Sequence, residues 1–413
     1  MEEYKKVKKK QQKQSTSWRP RGFIQWFLTV LTVLALAFIG SLAYYIWNPS
    51  DFNVTLRISN IMSLLAMFAL QMPMFLVILT LFIIVLLILA VWKKALIARA
   101  LLIPQLLLVL FLIIAPITQT LNYAKNENVS VSLSSHFFGK TEITSKVTQD
   151  VVYGTTSDGV ELKLDVWPAH GDSKKSLHPA VIMLHGGGWV EGDKGGSPHW
   201  YQRLSELGYT VFDVQYRMPP HAGWKDEVGD VKSAIGWVVE HADTYKIDPK
   251  KINVMGQSAG GNLAMLAAYS MGDEQLPPST SVSPVPINSV INIYGPSDMT
   301  EFYKNKRSPD YAEDVLKKYI KGTPSQFPDR YKILSPISYI NENTPPTISF
   351  YGTSDRVVPD EQGKSLDRKL RENSVSHEFY LLPGADHVFD AKSGSLNTQF
   401  AFEKVKAFLQ KYN

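Results

Sequence analysis

The chain has 413 residues, enough for two or three structural units. Hydrophobic residues make up 45% and charged residues 20%, a globular average that hides a very uneven spread. There is no cysteine, which excludes disulfides, thiolate metal ligands and a cysteine nucleophile. The formal net charge is +5, yet residues 1–22 carry eight Lys or Arg against Glu2 and Glu3, so the remainder is near neutral. That balance argues against a nucleic-acid-binding surface on the large C-terminal part.

Residues 1–22 read as a basic cytoplasmic tail. Beside an apolar run, its K-K-V-K-K-K string is a topology signal with some attraction to anionic lipid. Ile24 to Trp47 is uncharged and long enough to cross a hydrocarbon core of roughly 30 Å. Trp26 at one end and Tyr44, Tyr45 and Trp47 at the other suit the two interfaces. A signal peptide is the rival reading, but the run is long for a signal core and further apolar segments follow.

The next apolar stretch, Ile58 to Trp92, would reach about 52 Å as one helix, too long for a single upright span. Pro73 divides it. Pro73 to Trp92 has a spanning length, and Ile58 to Met72 is a lead-in, either interfacial or continuous through a kink. A third stretch runs from Leu101 to about Leu121, with Pro104 and Pro116 inside it. Residues 23–121 are thus expected to be a transmembrane region of about three helices in a lipid bilayer. Basic residues in the tail and at Lys93, Lys94 and Arg99 place those ends in the cytoplasm. Three spans then put everything after Leu121 outside; a separate crossing by Ile58 to Met72 would reverse that.

Residues 122–145 are polar and read as a linker. Residues 146–413 read as one catalytic domain. Two strand patterns joined by Ser157, Asp158 and Gly159 form an initial hairpin. Strands and helices then alternate: strands at 180–184, 210–214, 252–255, 290–293, 347–351 and 378–382, with helices at 201–207, 226–241, 262–269 and 398–411. This is the α/β class: a mostly parallel, doubly wound sheet covered on both faces, with an antiparallel edge. Ligands bind outside the carboxyl ends of such strands, and the motifs below each follow one.

The first motif is H-G-G-G-W, His185 to Trp189, after the strand A-V-I-M-L. Backbone N–H groups stabilise the oxyanion of acyl transfer, and glycines let a carbonyl approach them. Gly187, Gly188 and the N–H of Ala259 are the expected donors. His185 reads as structural; Trp189 either lines the entry or packs. The second motif, G-Q-S-A-G (Gly256 to Gly260), lies between a strand and a helix, where a sharp turn exposes Ser258 as nucleophile. The third, G-T-S-D-R-V-V-P, supplies Asp355 to orient a histidine, while Asp360 is the better helix cap. The fourth, G-A-D-H-V-F, supplies His387 as general base and acid. His377 precedes its strand, at the wrong end of the sheet. Asp193, Asp213 and Asp230 read as structural.

The chain order Ser, Asp, His is that of α/β-hydrolases. Residues from about 146 to 413 resemble that superfamily, and within it the hormone-sensitive-lipase and feruloyl- and acetyl-esterase-like group. The stretches that carry the resemblance are H-G-G-G-W-V-E-G-D-K, Y-R-M-P-P, I-D-P-K-K-I-N-V-M-G-Q-S-A-G-G-N-L-A, Y-G-P-S-D-M, S-P-I-S-Y-I and G-T-S-D-R-V-V-P. The resemblance implies carboxylester hydrolysis through a serine acyl-enzyme, with no metal and no organic cofactor. Gln257 departs from many lipase relatives, which carry Asp there, and favours the esterase-like branch.

The expected substrate is an acyl ester, short-chain, either a small molecule or a glycan-linked ester. The alternatives are a serine peptidase of prolyl-oligopeptidase type, an acyltransferase acting on cell-surface glycans, and a binding module without activity. Residues 272–286 and 301–343 are long insertions that either cap the pocket or pack on the surface. Phe302, Tyr303, Tyr311, Tyr319 and Phe327 are the candidates there for shaping an acyl site. Oligomeric state is open.

Overall fold

The computed structural model of the protein describes residues 20, 22–49, 57–170, 177–220 and 222–413, with residues 57–60 described as backbone only. The basic string of the tail and Asp51 of the first loop lie outside the described residues.

Three helices are long and apolar enough to cross a membrane: α1 (Phe23–Trp47), α3 (Pro73–Trp92) and α4 (Leu96–Asn126). Between α1 and α3 lies α2 (Arg57–Gln71), of 15 residues. Met72 and Pro73 separate α2 from α3, with Pro73 at the first helical position, where its missing N–H costs nothing. Polar side chains tie the bundle together: Gln25 Nε2 donates to Lys93 O (2.8 Å) and Gln105 Nε2 to Thr32 O (3.1 Å). Leu28, Ile39, Ile83, Leu102 and Val109 pack inside. Ile78, Leu107 and Ile114 stay on the outer surface, as hydrocarbon contact would require.

Within residues 122–145, expected to be a linker, α4 runs on to Asn126, and α5 (Leu133–Phe138) forms with Ser132 as its cap, the Ser132 Oγ accepting from Ser135 N. Serine and asparagine read as loop formers in isolation, but here they sit at helix ends that dock on the C-terminal domain.

The domain is built on eight strands: β1 Thr148–Thr155, β2 Glu161–Trp167, β3 His178–Leu184, β4 Thr210–Val214, β5 Ile247–Gln257, β6 Ser289–Ile293, β7 Thr347–Gly352 and β8 His377–Leu382. Their order is β1-β2-β4-β3-β5-β6-β7-β8. β1 and β2 pair antiparallel, as do β2 and β4; every pairing from β4 through β8 is parallel. β4 and β6 are buried along their whole length, as expected of strands covered on both faces. The principal helices between and after them are α6 (Pro198–Glu206), α7 (Asp226–Glu240), α8 (Ala259–Tyr269), α9 (Pro309–Ile320), α10 (Asp360–Glu372) and α11 (Leu396–Tyr412). Strand order reverses at β3, which has β4 on one side and β5 on the other. The carboxyl ends of β3 and β5 therefore flank a crevice at the switch point, where an open α/β sheet binds its ligand.

The apolar helices meet this domain at one end of the bundle. Arg356 bonds the Tyr45 carbonyl in the last turn of α1. Pro73 and Leu76 at the start of α3 share a cavity wall with Pro383 and Ala385. Tyr123 near the end of α4 packs on Phe400, ring centroids 5.2 Å apart. The turn that carries Lys93 and Lys94 joins the far ends of α3 and α4.

Candidate active site

Residues 256–261 turn the chain from β5 into α8, and their small size is forced. A Cβ on Gly256 would lie 2.1 Å from Gly260 O, and one on Gly260 would lie 2.3 Å from Leu184 O. Ser258 sits at the apex with φ 54°, ψ −120°, a conformation that non-glycine residues adopt only under constraint. Its N–H donates to Ile293 O (2.9 Å), which pins the apex to β6.

Three distant segments meet at this apex. His387 Nε2 lies 2.9 Å from Ser258 Oγ, and His387 Nδ1 lies 2.8 Å from Asp355 Oδ2. The other Asp355 oxygen accepts from Val357 N (2.9 Å) and Val358 N (2.8 Å). Asp355 is fully buried, whereas Ser258 and His387 keep 8% and 6% exposure, enough to face a substrate. Beside them, Gly187 and Gly188 have φ of 129° and 59°. A Cβ on Gly187 would lie 1.7 Å from Glu191 O, so only glycine fits. Among the described residues, no acceptor takes the N–H groups of Gly187, Gly188 or Ala259. Those donors remain available to an oxyanion.

Burial acts to lower the His387 pKa. The Asp355 carboxylate, aided by Asp386 and Asp390, more than offsets this, so the imidazole titrates above its ordinary value. A general base must be neutral to accept a proton, so kcat/KM should rise with pH through an acid limb above the usual histidine value of about 6.5. Asp390→Asn removes one of the three charges and is expected to move that limb to lower pH. A pH–rate profile of the two proteins checks this; an unmoved limb would rule out a charge effect of Asp390.

The cleft around these groups has a volume of about 660 Å³. Its wall includes Glu191, Asp193, His199, Gln257, Tyr294 and Tyr311, and among the described residues none from the apolar helices. Tyr311 comes from the 301–343 insertion, so part of that insertion does reach the cleft. Tyr319 and Phe302 instead pack on Trp189, with the Tyr319 ring stacked at 5.1 Å. Trp189 is buried and its Nε1 donates to Asn262 Oδ1 (3.3 Å), so it packs and does not line the entry. Residues 272–286 lie against α7, where Ser279 and Val282 face Gly229 and Gly236, and form no cap.

His185 stacks on Tyr216 at 4.3 Å and bonds the Gly186 carbonyl through Nδ1, bracing the glycine turn. Asp230 forks onto Arg217, and Asp213 receives the Gly195 N–H. His377 pairs with Asp367 at the start of β8, away from the site. Asp360 is the first residue of α10 and pairs with Arg307 and Lys364 at 2.6 Å each; it does not cap the helix.

Two neighbours escaped the sequence reading. The Tyr294 ring lies 4.6 Å from that of His387, and its hydroxyl donates to Asp390. Asp390 also receives Trp200 Nε1 (2.8 Å) and Gln257 Nε2. Tyr294 was within reach of sequence, since it follows β6 in Y-G-P-S-D. Asp390 gave no signal, because its partners come from three separate segments.

The sheet order, the strained turn at Ser258 and the glycine turn after β3 define an α/β-hydrolase. The BD-FAE family model matches residues 164–370, and the chain belongs to that family of α/β-hydrolase esterases. It is 34% identical over 254 residues to Esterase LipC of Mycobacterium tuberculosis (strain ATCC 25618 / H37Rv), covering 59% of this chain and 60% of that one. The chain thus spans about 60% of the length of the first curated relatives it matches. Among solved structures, a truncated carbohydrate esterase from gut microbiota superposes with a TM-score of 0.57 at 26% identity, covering 67% of this chain and 99% of that one. A propionate-bound thermophilic esterase of the Planctomycetes species Thermogutta terrifontis gives 0.52 at 25% identity, covering 65% and 93%.

Proposed function

We propose that the protein is a membrane-anchored serine carboxylesterase acting on short-chain acyl esters, including those on glycans. The observation that carries this reading is the unbroken Asp355–His387–Ser258 contact chain beside three unused N–H donors. Ser258 Oγ attacks the ester carbonyl as its proton passes to His387 Nε2. The oxyanion that forms is held by Gly187, Gly188 and Ala259 N–H. Collapse breaks the ester bond, and His387 returns the proton to the departing alcohol. Water then attacks the acyl-serine with His387 as base, releasing the acid and restoring Ser258. No step calls for a metal or an organic cofactor.

Polar groups around the cleft suit a hydroxyl-rich alcohol. The names of similar proteins, esterases including a carbohydrate esterase, support the same class. The test is substrate choice. The protein is expected to hydrolyse p-nitrophenyl acetate and to leave peptide amides intact; amide cleavage without ester cleavage would favour a peptidase. Transfer of the acyl group to an added glycan instead of water would mark an acyltransferase.

The orientation also follows from the bundle. α1 ends, α3 begins and α4 ends at the catalytic domain, so α2 stays on that side without crossing. Lys93, Lys94 and Arg99 lie towards the opposite end, which the positive-inside rule assigns to the cytoplasm. The catalytic domain is then extracytoplasmic. On intact cells an added protease should cleave it; protection would reverse the orientation.

A further inference from the structure

Arg356 directly follows Asp355, yet the chemistry above leaves it unused. It is almost fully buried, at 1% exposure. Its backbone N–H and Nε both donate to Asp386, the latter at 2.6 Å. Asp386 in turn accepts the His387 N–H (2.8 Å). This ion pair therefore joins the two loops that present Asp355 and His387.

The rest of the guanidinium points into the membrane region. Nη1 donates to Ser63 O (2.9 Å) and Ser63 Oγ (2.6 Å) on α2. Nη2 donates to Tyr45 O (3.2 Å), one of the last-turn carbonyls that a helix leaves without an internal partner. Eight residues along α2 from Ser63, Gln71 Nε2 donates to the His387 carbonyl (2.8 Å). The His387 peptide is thus held on its N–H side by Asp386 and on its carbonyl side by α2. Ser63 and Gln71 are both buried against the catalytic domain. A helix that only linked two spans would have no use for two buried polar contacts to catalytic loops.

We propose that α2 is a positioning element of the active site, through which Ser63 and Gln71, with Arg356, fix the Asp355 and His387 loops. The membrane region then forms part of the working enzyme as well as its anchor. The inference rests on the triad reading above. Small displacements of reacting groups are expensive: about 1 Å of misplacement can cost on the order of a hundredfold in rate. Removing two hydrogen bonds that hold the histidine loop should therefore lower kcat and leave substrate binding alone.

The test uses the full chain in detergent micelles with p-nitrophenyl acetate. Ser63→Ala/Gln71→Met is expected to lose roughly tenfold or more in kcat, with KM held within about twofold. Its thermal midpoint should stay close to that of the parent. Ser63→Thr keeps the hydroxyl and should retain activity. Unchanged kcat in the folded double variant, with Ser258→Ala inactive, would overturn the inference alone. Near-parental turnover in Ser258→Ala would overturn the triad reading and this inference with it. Should the double variant fail to fold, Gln71→Met carries the same test, and unchanged kcat there is equally decisive.

Discussion

Ser258→Ala is expected to lower kcat by about five or six orders of magnitude and to abolish labelling by a fluorophosphonate probe. The reason is geometric. Ser258 Oγ is the atom 2.9 Å from His387 Nε2 at the tip of the turn. Alanine keeps the Cβ, so the backbone strain at φ 54° is unchanged. The N–H bond to Ile293 O is also kept. The fold should therefore survive, and near-parental thermal stability is the control that separates lost chemistry from lost structure. Residual turnover would come from the N–H donors acting on a water-borne attack. Labelling that persists in the variant would place the nucleophile elsewhere.

Asp355→Asn is expected to cost on the order of ten-thousandfold in kcat, with the protein still folded. An ionised carboxylate offers two acceptor oxygens, and here both are in use. One takes His387 Nδ1–H, and the other takes the N–H groups of Val357 and Val358. Asparagine has only one oxygen. If that oxygen stays with the two backbone donors, the amide NH₂ faces His387 Nδ1. The ring must then carry its proton on Nε2, where it cannot accept one from Ser258. If the amide flips, two buried N–H groups lose their acceptor and the loop is destabilised. The first outcome disables the base; the second keeps its tautomer but removes the carboxylate charge and loosens the loop that holds it. Comparing kcat with the melting temperature distinguishes them: the first leaves stability intact and the second lowers it. A variant with parental kcat would remove Asp355 from the mechanism.

Much of this candidate site was legible along the chain because the proposed chemistry demands local patterns. A nucleophile on a strand-to-helix turn needs small neighbours, and Gly256, Ala259, Gly260 and Gly261 supply them within six residues. An oxyanion site built from backbone donors needs glycines, and Gly186 to Gly188 are consecutive. Strand positions could be read for a related reason: β3, β4, β6 and β7 are buried along most of their length and so are short, largely apolar runs. Trp189 was not decidable in this way. Its stacking partner Tyr319 is 130 positions away, and nothing local says whether an indole after a glycine turn packs or lines an entry.

The amino-acid order alone determined the fold class, the three apolar helices and the four motifs, since backbone conformation and side-chain periodicity are short-range properties. Only the tertiary structure decided where α2 packs. Fifteen residues ahead of a proline could have crossed, floated at the interface or bent into the next span. Its contacts join Ser63 and Gln71 to Arg356 and the His387 carbonyl, about three hundred residues away. Buried polar groups must be satisfied, but which partner satisfies them is set by packing between segments that share no local signal.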